Sequence, residues 1–530
     1  MNIYNDSSNG NTTREKVPMS SFTTNSSGSF STSVPPKFDG EDGADENSYF
    51  YKDGKLQKAK GLGWVVTGLF VVGDLAGGGL VALPTAMLEF GFAFGMFFTV
   101  LMSFTVCYTA YVLGQCWCIL QRRWPQHYTR GHVRKPYPEI GGRAMGPRMN
   151  RFVSGCVLVT QFGVAIAFFD TDIGFCVIVL IVALCLLPVT FLKSPQDFWG
   201  AVVLAMFTTS IAVVLILLGT SLDYGICAPE RRTPEFRITN YFLALGTFIF
   251  SYGGHAVFPT IQHDMKKPHE FTKSSILAFT IIAMMYTPVS IMGYLTYGDS
   301  LRDSIINSLQ TKWIQQTVNM LITIHCILTL TIVFNPINQE AEEYFQVPQH
   351  FGLKRVFVRT GTLLAVVFVG ETLPTFGPLL DFVGGSTMAL SSIIFPCVFY
   401  LYLSVGERKA NENALHCPKN GITTKKGLSE VEDEPVTLVD ILERTDRVTL
   451  FVCTFFALFG IMGGAAATFS AVREMSYAHF VPPCYISAFL DSVSDPNAGG
   501  HTNCCGFGQN ISRYGDPALF CSDPEYGAYS

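Results

Sequence analysis

The chain has 530 residues, of which 49% are hydrophobic and only 15% are charged, and its net charge at pH 7 is −5. Soluble proteins usually carry about a quarter charged residues, so this composition excludes an ordinary soluble domain and indicates a chain whose solvent is largely lipid. Basic residues are confined to loops, which excludes nucleic acid as a partner and leaves the lipid bilayer as the expected surroundings.

The first 60 residues, 1–60, are rich in Ser, Thr, Asn and Gly and contain no apolar run that could act as a signal peptide. We expect a disordered cytosolic N-terminal tail. Beyond it, apolar segments of about 20 residues, enough to cross a ~30 Å hydrocarbon core, recur along the chain. They predict an all-α polytopic membrane protein with eleven transmembrane helices, at 62–86, 92–118, 151–169, 173–192, 198–220, 241–263, 275–297, 316–339, 356–372, 379–404 and 448–471.

The distribution of Lys and Arg predicts the orientation. With the N-terminus inside, 29 of the 36 Lys and Arg residues fall on the inner side and 7 on the outer side. The inner loop 119–150 is rich in Arg, whereas the outer turns 87–91 and 170–172 contain no Lys or Arg. This bias follows the positive-inside rule, so we expect a cytosolic N-terminus and an extracellular or lumenal C-terminus.

Segment 405–446, which includes KNGITTKKGLSEVEDEP, is polar, and we expect a mobile cytosolic loop there. Neither this loop nor the N-terminal tail predicts a folded extramembrane domain, so a single membrane domain carries the function. The expected divisions after the tail are a ten-helix core at 61–404 with halves at about 61–220 and 240–404, the loop at 405–446, the eleventh helix at 447–471 and a C-terminal tail at 472–530.

The C-terminal tail has the chemistry of a non-cytosolic segment. Asn510-Ile511-Ser512 is an N-glycosylation sequon, and a glycan at Asn510 requires an extracellular or lumenal position. Disulfides belong to the same side of the membrane, which agrees with the charge distribution. The disulfide candidates are Cys484, Cys504, Cys505 and Cys521.

Two apolar segments are interrupted in the same way. In GGGLVALP, residues 77–84, and in GGHAVFP, residues 253–259, a glycine pair is followed after four residues by a proline. Glycine lacks the steric bias that holds a helix and proline removes an amide donor, so each run exposes backbone groups that hydrocarbon cannot satisfy. In many transporters such broken helices hold substrate and coupling ions. The alternative is that these glycines only allow close packing between helices.

The two breaks fall in the first and the sixth predicted helix. If the first ten helices form two halves of five, the breaks occupy corresponding positions. Halves with an odd number of helices, inserted one after the other, have opposite orientations in the membrane. The pattern therefore predicts an inverted 5+5 repeat followed by one further helix.

Four stretches resemble signature regions of the amino acid/auxin permease family, and the similarity covers residues 58–470 approximately. The stretches are DLAGGGLVALPTAMLEFGFAFG (74–95), YPEIGGRAMGP (137–147), FSYGGHAVFPTIQHDMKKPHEF (250–271) and FNPINQEAEEYF (334–345). The resemblance implies a LeuT-type fold and secondary active transport of amino acids or related small solutes.

The groups of a zwitterionic amino acid predict how the breaks would bind it. Free amides suit the carboxylate, and free carbonyls suit the ammonium group. The candidates for carboxylate contact through backbone N–H are Gly77, Gly78 and Gly79, and those for the ammonium group and the side-chain pocket are Phe250, Ser251, Gly253 and Gly254.

Three polar or aromatic side chains complete the predicted pocket. Tyr252 and His255 flank the second break, and a membrane-embedded imidazole can take part in proton coupling or can simply pack with a hydrogen bond. Gln161, in LVTQFGVAIAFF, either faces the cavity or bonds a neighbouring helix.

Asp74 is the first candidate for the coupling ion. A carboxylate in the membrane is costly unless it binds a proton or Na⁺ or caps a half-helix. Resemblance to sodium-coupled family members would place an Asn just before it, where this chain has Gly73, so H⁺ is preferred to Na⁺. Thr329 matches the family position for a sodium-like site and Thr331 is near it, although Thr hydroxyls more often bond their own helix.

The sequence therefore predicts an ion-coupled amino acid transporter that works by alternating access, with proton symport preferred. Sodium symport or vesicular proton exchange in the same fold is the alternative, and an amino acid sensor that transports little is the alternative of another class. No phosphate loop, zinc spacing or nucleophile motif occurs, so we expect no enzyme, no cofactor and no metal other than a possible Na⁺. The plasma membrane and an endolysosomal or vesicle membrane fit equally, and no oligomeric state is predicted.

Overall fold

The computed structural model describes ten parts of the chain. They are residues 49–52, 55–129, 133–169, 187, 199–234, 237–348, 352–372, 376–416, 435–477 and 504–521.

A β-hairpin precedes the first helix. Strand β1, Tyr49–Lys52, pairs antiparallel with β2, Lys55–Lys58, so that Tyr49 lies opposite Lys58. Gln57 and Lys58 are buried. The prediction of a disordered tail over 1–60 is therefore wrong for residues 49–52 and 55–58, which fold because the two strands pack against the rest of the chain. Residues 1–48, 53 and 54 lie outside the described part.

Helices account for nearly all the remaining described structure. The helices up to residue 230 are α1 Trp64–Leu75, α2 Gly78–Phe90, α3 Phe92–Arg123, α4 Pro125–Tyr128, α5 Pro136–Met145, α6 Pro147–Phe169 and α7 Trp199–Cys227, followed by a 3₁₀ turn at Ala228–Glu230. The later ones are α8 Ile238–Tyr252, α9 Phe258–His263, α10 Phe271–Tyr297, α11 Ile305–Ser308, α12 Lys312–Tyr344, α13 Leu353–Thr372, α14 Phe376–Val383, α15 Phe395–His416, α16 Leu438–Arg444, α17 Arg447–Tyr477 and α18 Pro517–Phe520, with 3₁₀ turns at Pro268–Glu270 and Gly298–Ser300.

Seven of the described helical spans are long and apolar enough to cross a membrane, and an eighth results if α1 and α2 count as one bent span. The predicted fourth span, 173–192, lies outside the described residues except for residue 187, so the count of eleven stays a prediction. The predicted loop 405–446 is partly helical, because α15 continues to His416 and α16 follows; residues 417–434 lie outside the described part.

The broken helices lie at the centre of the packing. α2 packs against α8, α1 packs against α10, and α7 packs against α12. Their contacts bury Phe70, Leu80 and Phe248 completely. In contrast, Phe104 on α3 and Met284 on α10 are 71% and 72% exposed, as expected for side chains that face lipid hydrocarbon.

Between α14 and α15 the chain continues as two π-helical stretches, Gly384–Met388 and Leu390–Ile394. A π-helical turn widens the helix and leaves some carbonyls without their usual i+4 donor, which is why such turns are frequent at functional sites. Tyr137 of α5 donates a hydrogen bond to the carbonyl of Ser391, which secures the second stretch from the side.

Candidate functional site

The first interruption lies between α1 and α2. α1 ends at Leu75, α2 begins at Gly78, and the two axes differ by 59°. Gly77 has φ −97° and ψ −120°, far from helical values, and this residue turns the chain. The amides of Gly78 and Gly79, at the start of α2, make no hydrogen bond to a described residue and remain available as donors.

The second interruption lies between α8 and α9. α8 ends at Tyr252 and α9 begins at Phe258, so residues 253–257 are not helical. Three backbone bonds to the third residue back connect this stretch: Gly253 N–H donates to the Phe250 carbonyl, Val257 N–H to the Gly254 carbonyl and Phe258 N–H to the His255 carbonyl. Pro259 stands in the first turn of α9, where its missing N–H costs nothing.

The two interruptions touch, because glycine allows the backbones to approach each other. A Cβ atom placed on Gly79 would lie 2.5 Å from the Ser251 Cα atom, which only glycine permits. The Ser251 hydroxyl donates to the Thr247 carbonyl at 2.7 Å and also lies 3.3 Å from the Gly79 carbonyl oxygen. Gly79 and Ser251 are therefore packing partners, as one of the two interpretations of the glycine runs predicts.

A second close approach brings a carboxylate onto the other break. A Cβ atom placed on Gly254 would lie 2.5 Å from Asp74 Oδ2. Asp74 is partly exposed and makes no hydrogen bond or ion pair with a described residue. In an apolar span, a carboxylate without a protein partner binds a proton or a cation, or is hydrated.

A cavity lies between the breaks, α6 and the π-helical stretches. It includes the backbone of Gly253 and Gly254, and Met388 forms an apolar part of its wall. Its polar side chains are Asp74, Thr160, Gln161, His255, Ser391 and Ser392. The cavity therefore brings residues beside both interruptions together with polar side chains of α6 and of the second π-helical stretch.

His255 is fixed at one side of this cavity. Its Nε2 atom lies 2.9 Å from the Thr109 hydroxyl and 3.2 Å from the Val106 carbonyl oxygen. Because a carbonyl only accepts, the Nε2–H tautomer fits this contact, and Nδ1 then carries the lone pair. Nδ1 is buried and has no hydrogen-bond partner among the described residues, so it remains available as an acceptor.

The structure separates the remaining candidates. Gln161 lines the cavity with Asp74, Gly253, Gly254 and His255, whereas the lining residues do not include Gly77, Gly78, Gly79, Phe250, Ser251 and Tyr252. Tyr252 and Ser251 are buried beside the break.

The Thr329 hydroxyl bonds its own helix. It donates to the His325 carbonyl at 2.9 Å and lies 3.3 Å from the Cys326 carbonyl oxygen. This is the ordinary use of a helical threonine, so its hydroxyl is occupied here. The side chain of Thr331 lies outside the described part of the chain.

Sequence reasoning missed several cavity residues. Thr160, Met388, Ser391 and Ser392 line it, and the Ser392 hydroxyl is buried without a hydrogen-bond partner among the described residues. The signal was the run GGSTMALSS (384–392), which is unusually rich in small and hydroxyl residues for a membrane span. The described residues contain no group of three or more His, Cys, Asp or Glu that could hold a metal ion.

Comparison with known proteins identifies the family. The family described as transmembrane amino acid transporter protein matches residues 60–420, which is more than half of the chain. The chain belongs to this family. The resemblance to amino acid/auxin permeases is thereby confirmed, and the interrupted helices and the cavity all lie within the matched residues.

Relatives from Arabidopsis thaliana are named as transporters. Amino acid transporter AVT1J is 24% identical over 360 residues, which are 63% of this chain and 81% of the relative. Lysine histidine transporter-like 4 is 25% identical over 392 residues, which are 67% of this chain and 83% of the relative. Such relatives agree with the prediction that the protein is not an enzyme. A crystal structure of a manganese transporter from Eremococcus coleocola is similar at a TM-score of 0.40 and 12% identity, covering 77% of this chain and 94% of that one.

The N-terminal β-hairpin of this transporter-family protein packs against the end of α9. The Tyr49 hydroxyl lies 3.4 Å from His263 Nδ1, and Lys58 Nζ lies 3.4 Å from the His263 carbonyl oxygen and 4.0 Å from Asp264 Oδ1. Burial lowers the pKa of the Lys58 ammonium group, while the Asp264 carboxylate opposes that shift. Backbone bonds from Leu62 N–H to the Asp264 carbonyl and from Lys266 N–H to the Leu62 carbonyl complete the contact.

At the other end, the C-terminal segment 504–521 is attached to the helices. Disulfides join Cys504 to Cys521 and Cys505 to Cys227 at the end of α7. Cys227 was missed because it ends an apolar segment, while Cys484 lies outside the described residues. Asn510 is exposed.

Proposed function

We propose that this protein is an ion-coupled secondary active transporter of amino acids that works by alternating access, with a proton as the coupling ion. The observation that supports the proposal is the position of Asp74, which lines a cavity between two helix breaks and has no described partner. An unpaired carboxylate in a membrane protein binds a proton or a cation to offset its desolvation. Because its charge would change with each proton, the relative stability of the outward and inward forms would change with it.

The solute binds, in this proposal, at the same place. Its ammonium group meets carbonyls of the second break together with Asp74. Its carboxylate extends beyond the lining of the cavity to the amides of Gly78 and Gly79 at the start of α2. His255, Gln161 and Ser392 supply the remaining polar contacts. The relatives are named for amino acids in general or for lysine and histidine, which supports an amino acid as the solute class.

We infer a LeuT-type topology of two inverted five-helix halves and one further helix, eleven in total. The N-terminus is cytosolic and the C-terminal tail is extracellular or lumenal. Two features support this orientation: the excess of Lys and Arg on the inner side, and the disulfides at Cys227, Cys504, Cys505 and Cys521, because disulfides persist outside the cytosol.

Uptake of labelled amino acids into proteoliposomes tests the function, with H⁺ and Na⁺ gradients imposed separately. We expect accumulation driven by the H⁺ gradient without Na⁺. Asp74→Asn removes the titrating group but keeps its shape, so we expect gradient-driven accumulation to fall at least about tenfold, as loss of one charged interaction implies. Exchange of internal for external amino acid persists in this variant, because it needs no net proton movement.

Glu443→Gln is the matched control, since Glu443 is exposed on α16 and makes no hydrogen bond or ion pair with a described residue. Unchanged pH dependence and turnover in Asp74→Asn would remove Asp74 from the coupling. Accumulation driven only by Na⁺ would favour the sodium-coupled alternative. Binding without accumulation would favour a sensor.

A further inference from the structure

Tyr286 lies on α10, and its hydroxyl group reaches both helix breaks. The hydroxyl oxygen is 2.6 Å from the Leu75 carbonyl oxygen and 3.2 Å from the Ser251 carbonyl oxygen. Leu75 is the last residue of α1, and Ser251 is the residue before the end of α8. One phenolic O–H group therefore serves two carbonyls that belong to two different interruptions.

These carbonyls need a partner because the helices stop there. A continuous helix would supply an amide four residues further on, and the breaks remove it. The Ser251 carbonyl accepts no backbone hydrogen bond from a described residue, and the Leu75 carbonyl accepts one, from Gly77 N–H at 2.9 Å. Tyr286 is fully buried, so water does not reach its hydroxyl from the bulk.

The ring of Tyr286 is held firmly in this position. It packs edge-to-face against Tyr252, with ring centroids 5.5 Å apart. The short contact to Leu75 and the longer one to Ser251 agree with a single hydrogen that is donated mainly to the first carbonyl. The Tyr286 hydroxyl oxygen thus lies between the carbonyl oxygens of Leu75 and Ser251.

Carbonyls freed by unwinding are the groups that coordinate Na⁺ in transporters with broken helices. We propose that the Tyr286 hydroxyl fills the position between the two breaks that a Na⁺ ion would otherwise occupy, and so holds the breaks around the cavity without a metal ion. Tyr286 is thus a positioning residue for transport. The inference rests on the proposed function and deepens it, because it gives a physical reason why the proton is the coupling ion.

Tyr286→Phe is the direct test, since it removes the hydroxyl group and keeps the ring. The two carbonyls then lose a donor and become accessible to a small cation. We expect the KM for the amino acid to rise about tenfold, the usual cost of one hydrogen bond, with a smaller change in maximal rate. We also expect NaCl or LiCl, compared with choline chloride, to raise the Tm of the detergent-purified full chain by at least about 2 °C, because an ion that binds only the folded form stabilises it.

Tyr294→Phe is the matched control on the same helix. The Tyr294 ring lies 5.4 Å from that of Phe92, and its hydroxyl makes no hydrogen bond to a described residue, so its loss leaves the KM and the salt response unchanged. The proposal is overturned if Tyr286→Phe keeps the wild-type KM and the wild-type indifference to Na⁺. Stimulation of the wild-type protein by Na⁺ overturns it as well.

A second substitution keeps the proposal testable if Tyr286→Phe does not fold. Incorporation of 3,5-difluorotyrosine at position 286 keeps the ring and makes the hydroxyl a stronger donor. A lower KM than wild type is expected, and an unchanged KM contradicts the proposal. Failure of the proposed function is distinguished by the wild-type protein, which would then not accumulate amino acid, whereas the salt effect on Tm requires no transport.

Discussion

Gly79 and Gly254 both allow the breaks to touch, but an added methyl group would meet different obstacles. At Gly79 it would strike the Cα atom of Ser251, which belongs to the backbone of α8 and cannot move alone. At Gly254 it would strike the Asp74 carboxylate, the end of a side chain that can rotate. A substitution at Gly79 is therefore expected to lower stability, whereas one at Gly254 is expected to lower transport.

Gly79→Ala is expected to lower the free energy of unfolding by about 2–3 kcal/mol, as overpacking in a rigid contact does. Gly254→Ala is expected to fold with a nearly normal Tm but to lose most of its transport, because Asp74 must leave its position over the second break. Thermal unfolding and proteoliposome uptake measure the two effects. Gly361→Ala, on α13 with open space around the added atom, is the control for both. A stable but inactive Gly79→Ala variant, or an unstable Gly254→Ala variant, would contradict the assignment of Gly79 to packing and of Gly254 to transport.

At the residue scale, the sequence predicts the site residues that stand out from their neighbours in an apolar segment. Asp74, Gly254, His255 and Gln161 were proposed because a charge, a glycine pair or a polar side chain stands out within an apolar run, and the structure brings all four to the cavity. Tyr286 has no such signal, since tyrosine is common in apolar helices. Its contacts depend on how α10 packs against two other helices, which no local pattern contains.

At the scale of elements, the β-hairpin is attached to the end of α9 through the side chain of Lys58 and that of Tyr49. Lys58→Ala removes the ammonium group near Asp264 and the donor to the His263 carbonyl, so we expect docking of the hairpin to weaken by about 2 kcal/mol, the value for a hydrogen bond to a charged group. Hydrogen exchange measures this at the amides of Lys266 and Leu62, which should exchange about 30-fold faster. Lys55→Ala, at an exposed position of the same strand, should leave both amides protected. Equal protection in both variants would show that Lys58 does not hold the hairpin.

The pH dependence of docking gives a second readout of the same contact. Burial lowers the pKa of Lys58 below its ordinary value of 10.5. Between the lowered pKa and 10.5, the undocked hairpin therefore binds a proton that the docked hairpin does not bind. Docking becomes more favourable as pH rises through this window, and Lys58→Ala removes that slope. Tyr49 acts in the opposite direction only above its ordinary pKa of 10, because burial raises its pKa.

The sequence predicts the two helix interruptions but not the β-hairpin or the π-helical stretches, and the difference has a physical reason. Both interruptions were predicted, because Gly and Pro act on the backbone wherever they stand. The hairpin was not, because the polar composition of residues 1–48 dominates the window 1–60, and Lys58 is buried only through contacts with residues about 200 positions away. The π-helical stretches arise from packing and likewise have no periodic signature.

For the whole molecule, composition and charge predict a helical membrane protein. The family is indicated by the four stretches that resemble amino acid/auxin permeases, and the matched family agrees. Hydropathy is strong enough to identify spans because each helix must satisfy its own backbone in lipid. Hydropathy and charge do not predict the disulfide between Cys227 and Cys505, because the two residues are separated by 278 positions and are brought together by the fold. That connection joins the C-terminal segment to the end of α7.

The orientation of the whole molecule leads to a prediction about Asn510. The excess of Lys and Arg predicts a cytosolic N-terminus, and we expect the disulfide-bonded segment 504–521, in which Asn510 is exposed, on the opposite side. We expect Asn510→Gln to abolish the shift in electrophoretic mobility that an N-glycosidase produces on the wild-type protein. Asn25→Gln, in an N-terminal sequon that the same topology keeps in the cytosol, should leave the shift intact. A glycan on Asn25 and none on Asn510 would show that the orientation is the reverse of the predicted one. In the proposed mechanism, the side from which protons reach the cavity would then be reversed as well.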